Sequence, residues 1–265
     1  MQRPFFLEEI DDRGVAHIAL TRPDKHNAFH ADLIAELTTA LHGFDSDERV
    51  RCLLLTAEGK SFSAGADLTW MQSMAAASEQ ENLEDARALA SLMDALDSFS
   101  RPTVALVQGP AIGGGVGLVA CCDIVVAEPS AALFALSEVR LGLIPAVIQP
   151  YVAAAIGERA ATRYTLTGER FSAETAQQLG LVHELAAWHD LRTRGEELIA
   201  ELLKGGPAAQ REAKAQLRAL RGHAPGPEVN EDAAQRIARL RVGAEGQEGI
   251  AAFLEKRKPS WRGGS

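Results

Sequence analysis

An α/β core carrying an α-helical C-terminal region is the fold class that this sequence predicts. Short β-rich runs alternate with amphipathic helical stretches up to Tyr151, and beyond it the pattern turns mostly helical. The punctuation Gly205-Gly206-Pro207 reads as a hinge. It predicts a core domain over 1–204 and a helical domain over 205–265.

Val15–Leu20 and Cys52–Thr56 read as strands. Between them, about Ala31–Phe44 forms an amphipathic helix with Leu33, Ile34, Leu37 and Leu41 on one face. A second helix, about Asn82–Ser98, repeats Leu89, Leu92, Met93 and Leu96 at helical spacing. Thr103–Gln108, Ile124–Ala127 and Leu133–Leu136 read as further strands. Past the hinge, two or three helices run from Ala208 to Phe253, interrupted at Gly222–Pro227.

With 265 residues the chain can bury a sizeable core. Its 46% hydrophobic and 24% charged content is that of an ordinary soluble globular enzyme. A net charge of −9 argues against a general nucleic-acid or acidic-membrane surface, and Glu255-Lys256-Arg257-Lys258 is too short to reverse that. No apolar run is long enough to cross a bilayer. Met1-Gln2-Arg3-Pro4-Phe5-Phe6 has no signal-peptide core, so a cytoplasmic location is expected. Cys52, Cys121 and Cys122 lack zinc spacing and read as reduced, buried small residues.

Three segments carry the candidate chemistry. Ser61-Phe62-Ser63-Ala64-Gly65-Ala66-Asp67-Leu68 leads from a strand into a helical stretch, Leu68–Met74, with small residues that permit close backbone approach. A tight turn capped by Asp67 explains it equally well. In Val107-Gln108-Gly109-Pro110-Ala111-Ile112-Gly113-Gly114-Gly115-Val116-Gly117 a strand enters and a short apolar helix leaves, ending near Cys122. Amides at that helix N-terminus would face a ligand oxygen, unless the glycines serve only close packing. In the third segment Glu138 sits among apolar residues, Val139, Leu141, Leu143 and Ile144, which would raise its pKa and suit it to proton transfer. The plain alternative is a surface acid paired with Arg140.

Gly115-Val116-Gly117-Leu118-Val119-Ala120 also fits a dinucleotide-binding fingerprint, with Glu138 downstream. The spacing argues against that reading. Gly109–Gly114 intervene after the strand, and the next strand begins near Ile124, which is too soon for a crossover.

Taken together, the segments resemble the crotonase (enoyl-CoA hydratase/isomerase) superfamily over nearly the whole chain. Thr21-Arg22-Pro23-Asp24-Lys25-His26-Asn27-Ala28 is similar to its early signature. Phe62–Leu68 and Gly113-Gly114-Gly115 are similar to its two oxyanion-hole segments, and Ser137-Glu138 with Leu141–Pro145 to its catalytic-acid segment. Glu248–Arg257 is similar to its C-terminal motif. The resemblance implies a spiral of ββα turns with a C-terminal helical trimerisation region, assembled as a trimer or a dimer of trimers. It implies an acyl-CoA thioester substrate and no separate cofactor, coenzyme A being part of the substrate.

The resemblance also implies roles. The N–H groups of Ala66 and Gly114 bind the thioester oxygen, and Glu138 moves the proton. The Ala64 carbonyl contacts the CoA adenine, Lys25 approaches the CoA phosphates, and Phe253 and Lys256, from a neighbouring subunit, reach the nucleotide end. Ala28, Asp67, Leu68, Trp70, Met71, Met74, Ile144 and Val147 are candidates for the substrate pocket or plain core packing. A non-catalytic or RNA-binding member of the family is disfavoured by the net charge and the intact Ala66, Gly114 and Glu138 set.

Gly117 departs from the family pattern, since many hydratases carry a second glutamate there. A lone Glu138 then runs both proton transfers, and the vacancy is expected to leave room for a branch on the β-carbon. Ala66–Met71, Gly115–Leu118 and Ile144-Pro145-Ala146-Val147-Ile148 resemble bacterial hydratases of 3-substituted glutaconyl-CoA, either isohexenylglutaconyl-CoA in terpene breakdown or 3-methylglutaconyl-CoA in leucine breakdown. The alternative is a single-glutamate Δ3,Δ2-enoyl-CoA isomerase.

Overall fold

The computed structural model describes residues 4–262. The chain opens with β1 (Phe6–Ile10) and β2 (Val15–Leu20), then α1 (Ala31–Ser46) and β3 (Cys52–Ala57). Next come α2 (Leu68–Ala76), α3 (Glu79–Asp97), β4 (Thr103–Val107), β5 (Ala111–Ile112) and α4 (Gly114–Cys121). β6 (Ile124–Ala127), β7 (Leu133–Ala135), α5 (Gln149–Ile156), α6 (Glu158–Thr167), β8 (Phe171–Ser172), α7 (Ala173–Leu179) and β9 (Glu184–Leu185) complete the strand-bearing part. Four helices end the chain: α8 (Trp188–Leu202), α9 (Pro207–Ala219), α10 (Pro227–Val242) and α11 (Ala244–Leu254).

Among the described residues the strands form two sheets. The larger runs β1-β2-β3-β4-β6-β9, with β1 antiparallel to β2 and the other neighbours parallel. Alternate residues of these strands face two apolar layers. Leu53, Leu55, Ala105 and Val107 join the main core beneath α1, α3, α4 and α5. Leu54, Val104, Leu106 and Val126 join a smaller core with Leu191 and Ile199 of α8. Covering both faces is what makes β4 buried throughout, as parallel strands require. This is the predicted mixed α/β fold.

Leu33, Ile34, Leu37, Leu41 and Phe44 supply the buried stripe of α1, and His30 caps it by accepting from the Leu33 N–H. α3 begins at Glu79, earlier than its apolar stripe indicates, because Ser78 and Glu81 form a reciprocal capping box. β1 was not foreseen: Phe-Leu-Glu-Glu-Ile is an edge strand with most of its side chains in water.

The helices after Gly205-Gly206-Pro207 are amphipathic, yet α9 and α10 bury no residue within the chain. Charge pairs tie α9 to the core. Lys214 reaches Asp123 at 2.6 Å, and Arg221 makes a two-pronged contact at 2.9 Å with Asp97, itself only 4% exposed. The three cysteines are buried free thiols. Burial pushes Cys52 up to about 12, which leaves it protonated and inert. No described helix is long and apolar enough to cross a membrane.

Candidate active site

The second, smaller sheet brings the site segments together. β5 pairs in parallel with β7, and β7 pairs antiparallel with β8. Ala111 and Ile112 of β5 therefore lie beside Phe134 and Ala135 of β7. The chain leaves β5 into Gly113 and leaves β7 towards Glu138, so one register sets both. On its other side β5 continues into a bridge between Ala111 and Ser63, and a further bridge joins Phe29 to Ala66.

That last bridge aims the Ala66 amide. The Phe29 N–H donates to the Gly65 carbonyl at 2.6 Å, and the Asp67 N–H donates to the Phe29 carbonyl at 2.8 Å. In a parallel bridge the intervening residue points its own N–H the other way. Among the described residues the Ala66 N–H has no acceptor. Gly65 makes the turn possible at φ +81°, where a Cβ would meet the Ile112 carbonyl oxygen at 2.9 Å.

Gly113 adopts φ +52° and ψ −121° immediately before α4. Its N–H donates to Ala135, and its carbonyl accepts from Val116 and Gly117. The Gly114 N–H is left at the positive end of α4 with no protein acceptor among the described residues. The glycine run permits this fit. A Cβ at Gly114 would meet the Phe29 ring at 2.7 Å, and one at Gly115 the Ser63 carbonyl oxygen at 2.7 Å.

Glu138 opens a short 3-10 turn, Glu138–Leu141, and reaches back over Gly113. A Cβ on Gly113 would lie 2.8 Å from Glu138 Oε1. Burial raises the Glu138 pKa above its ordinary value, and its own backbone N–H only partly opposes the shift. Its Oε2 is buried and accepts no hydrogen bond from the protein. The guanidinium of Arg140 offers no ion pair, since the Arg140 side chain lies against Gly168. A carboxyl held this way can take up and release a proton beside two unengaged amide donors.

The other predicted residues fall into five groups. Asp67 caps α2 by accepting from the Thr69 N–H at 2.9 Å, and Arg22 reaches its other oxygen at 3.3 Å. Leu68, Trp70, Met71 and Met74 lie on α2, which buries no residue; Trp70 packs partly against the core and donates from its indole N–H to Asp85 at 3.0 Å. Ile144 is exposed, whereas Val147 packs partly against the core. Ala28 is buried, and Lys25 and Ala64 are exposed neighbours through the Ala64 N–H, which donates to the His26 carbonyl. Phe253 and Lys256 are exposed at the end of α11, which packs on α9 and α10 rather than beside Glu138.

Gly117 does not behave as expected. The vacancy read from the sequence is filled: a Cβ there would sit 2.4 Å from Ile148 Cγ2 and 3.0 Å from Met93 Sδ. No room for a substrate branch opens at this glycine.

Sequence reasoning also passed over Asn27. It is buried with φ +53°, donates to the Glu58 and Ser61 carbonyls at 2.9 Å, and accepts from the Arg22 N–H. Its His26-Asn27 context was the available signal, because Asn tolerates the left-handed region. Asn27→Ala removes a donor to the Glu58 and Ser61 carbonyls and the acceptor of the Arg22 N–H, and is expected to destabilise the protein by about 2 kcal/mol. A lowered denaturant midpoint with unchanged slope would show it.

Residues 11–264 match the family model described as enoyl-CoA hydratase/isomerase. A crystal structure of an enoyl-CoA hydratase from Shewanella pealeana is 46% identical, covers 97% of this chain and 96% of its own, and superposes with a TM-score of 0.94. The structure of AtuE from Pseudomonas aeruginosa is 37% identical over 98% of this chain and 100% of its own, with a TM-score of 0.93. The 2,3-dehydroadipyl-CoA hydratase of Escherichia coli is 31% identical over 93% of this chain and 94% of its length. This chain belongs to the enoyl-CoA hydratase/isomerase family of enzymes.

Proposed function

We propose that the protein adds water across the α,β double bond of a branched, carboxylated enoyl-CoA, either isohexenylglutaconyl-CoA or 3-methylglutaconyl-CoA. The observation that carries this reading is Glu138: a half-buried carboxyl, raised in pKa, with one buried oxygen unpaired beside the free N–H groups of Ala66 and Gly114. Ionised Glu138 takes a proton from water as the water oxygen bonds to the β-carbon. The π electrons move to the α-carbon and on to the thioester oxygen, giving an enolate held by the two amides. Glu138 returns the proton to the α-carbon as the carbonyl re-forms. Water is consumed, its oxygen ends on the β-carbon, and Glu138 finishes ionised.

The carboxylated substrate class is supported by the E. coli relative, which is named for the thioester of an unsaturated dicarboxylic acid. The residues Ile144-Pro145-Ala146-Val147-Ile148 support it as well, by their resemblance to hydratases of 3-substituted glutaconyl-CoA. Leu68, Leu141, Leu143 and Ile144 expose an apolar rim suited to an acyl chain. Lys25, Ala28 and Ala64 would hold the CoA portion. The reaction needs no separate cofactor. The helices of 205–265 form the assembly region of a trimer or hexamer in this reading, because α9 and α10 have amphipathic faces that the chain itself does not bury.

The test is incubation of each 3-substituted glutaconyl-CoA, crotonyl-CoA and a 3-enoyl-CoA with the enzyme in isotopically labelled water. Label in a new hydroxyl of the glutaconyl products, with a higher kcat/KM than for crotonyl-CoA, is the expected result. Double-bond migration with no hydroxyl would replace the proposal with the isomerase reading.

A further inference from the structure

Gly117 lies in the first turn of α4, one turn beyond Gly114, so any side chain it carried would start about 5–6 Å from the oxygen-binding end of that helix. That space belongs to other residues. Ile148, 2% exposed, enters it from the start of α5, and fully buried Met93 enters from α3. Cys121 Sγ packs on Met93 Sδ at 3.9 Å and closes the layer behind. Three helices thus converge on position 117 with hydrocarbon and sulfur.

We propose that Ile148, backed by Met93, is a specificity-determining residue that occupies the place of a second acid and confines the site to a lone Glu138. The proposal rests on the hydratase reading above and deepens it. A carboxylate at 117, one turn along α4 from the Gly114 amide, would add a second proton carrier to the site. The hydrocarbon plug excludes that carboxylate.

Thermal unfolding reads the plug directly. Helix propensity by itself makes Gly117→Ala stabilising. Against Ile148 its Cβ has no room, so Tm is expected to fall by roughly 3–6 °C and to recover by more than half in Gly117→Ala/Ile148→Ala. A Tm that rises in Gly117→Ala, or no coupling in the double variant, overturns the proposal. The second arm reads function. Gly117→Glu/Ile148→Gly is expected to raise kcat for crotonyl-CoA by roughly 10-fold or more over Ile148→Gly, with KM little changed. A kcat no higher than that of Ile148→Gly overturns it. If the wild-type enzyme hydrates no 3-substituted glutaconyl-CoA, the substrate assignment falls, while the unfolding cycle still decides the plug.

Discussion

Glu138→Gln is expected to lower kcat for hydration by roughly 10²–10⁴-fold while raising Tm at neutral pH. Both effects come from one placement. Gln keeps the shape of the side chain above Gly113 but can neither accept nor return a proton. Burial raises the folded-state pKa of Glu138 above the ordinary 4.5, so the folded protein binds this proton more tightly than the unfolded chain. Wild-type stability therefore falls as pH climbs from the ordinary 4.5 through the raised value, and the penalty is complete only above that value. The stability gap between Glu138→Gln and wild type should close in acid, where both side chains are neutral. The acid limb of kcat/KM should report the same raised pKa, since the step begins from the ionised form. Near-wild-type turnover in the variant, or a variant that melts earlier at neutral pH, would remove Glu138 from the proposed role.

Gly113→Ala is expected to cost about 10²–10³-fold in kcat, the range for losing one preorganised donor. A Cβ at φ +52° is strained, and it would press on Glu138 Oε1 at 2.8 Å. Relief can come only by tilting the start of α4, which carries the Gly114 N–H, or by moving Glu138. Either motion separates the proton carrier from the amide that holds the developing charge. Single-turnover kinetics check this: the chemical step should slow while substrate binding changes little. A variant with unchanged single-turnover rate would show that the Gly113 geometry is not needed for the reaction.

The strands legible in the sequence were those whose burial depends on their own residues. Val15–Leu20, Thr103–Val107 and Ile124–Ala127 are apolar runs because helices cover both faces of the parallel sheet. β5, β8 and β9 have two residues each and carry no period to detect. They form because longer elements deliver them to a neighbour. The helices after Gly205-Gly206-Pro207 were legible through Gly and Pro punctuation, and the Ser78/Glu81 box was present in the sequence but unread. At the site, the glycine run and the Asp67 cap were readable as local chemistry, whereas Leu141, Leu143 and Ile144, expected to surround Glu138, are exposed and its carboxyl lies over Gly113 instead. Gly117 was misread because a glycine reports only that a side chain is missing. What fills the space was decided by Met93 and Ile148, each at least 24 positions away, and only tertiary packing brings them there.

α2 begins two residues after Ala66 yet buries none of its own residues. It is held at its start by Asp67, with Arg22 behind, and at Trp70 by Asp85. Ala66 itself is fixed upstream, by its bridge to Phe29. The two neighbours therefore belong to different rigidity classes. Local opening of α2 needs only the loss of these few part-buried contacts, so its amides should exchange with solvent long before those of β4. In the proposed reaction, a wall of α2 residues could reshape around different acyl groups while the Ala66 donor stays still. Breadth of substrate and constancy of chemistry are thereby assigned to consecutive stretches of the same chain.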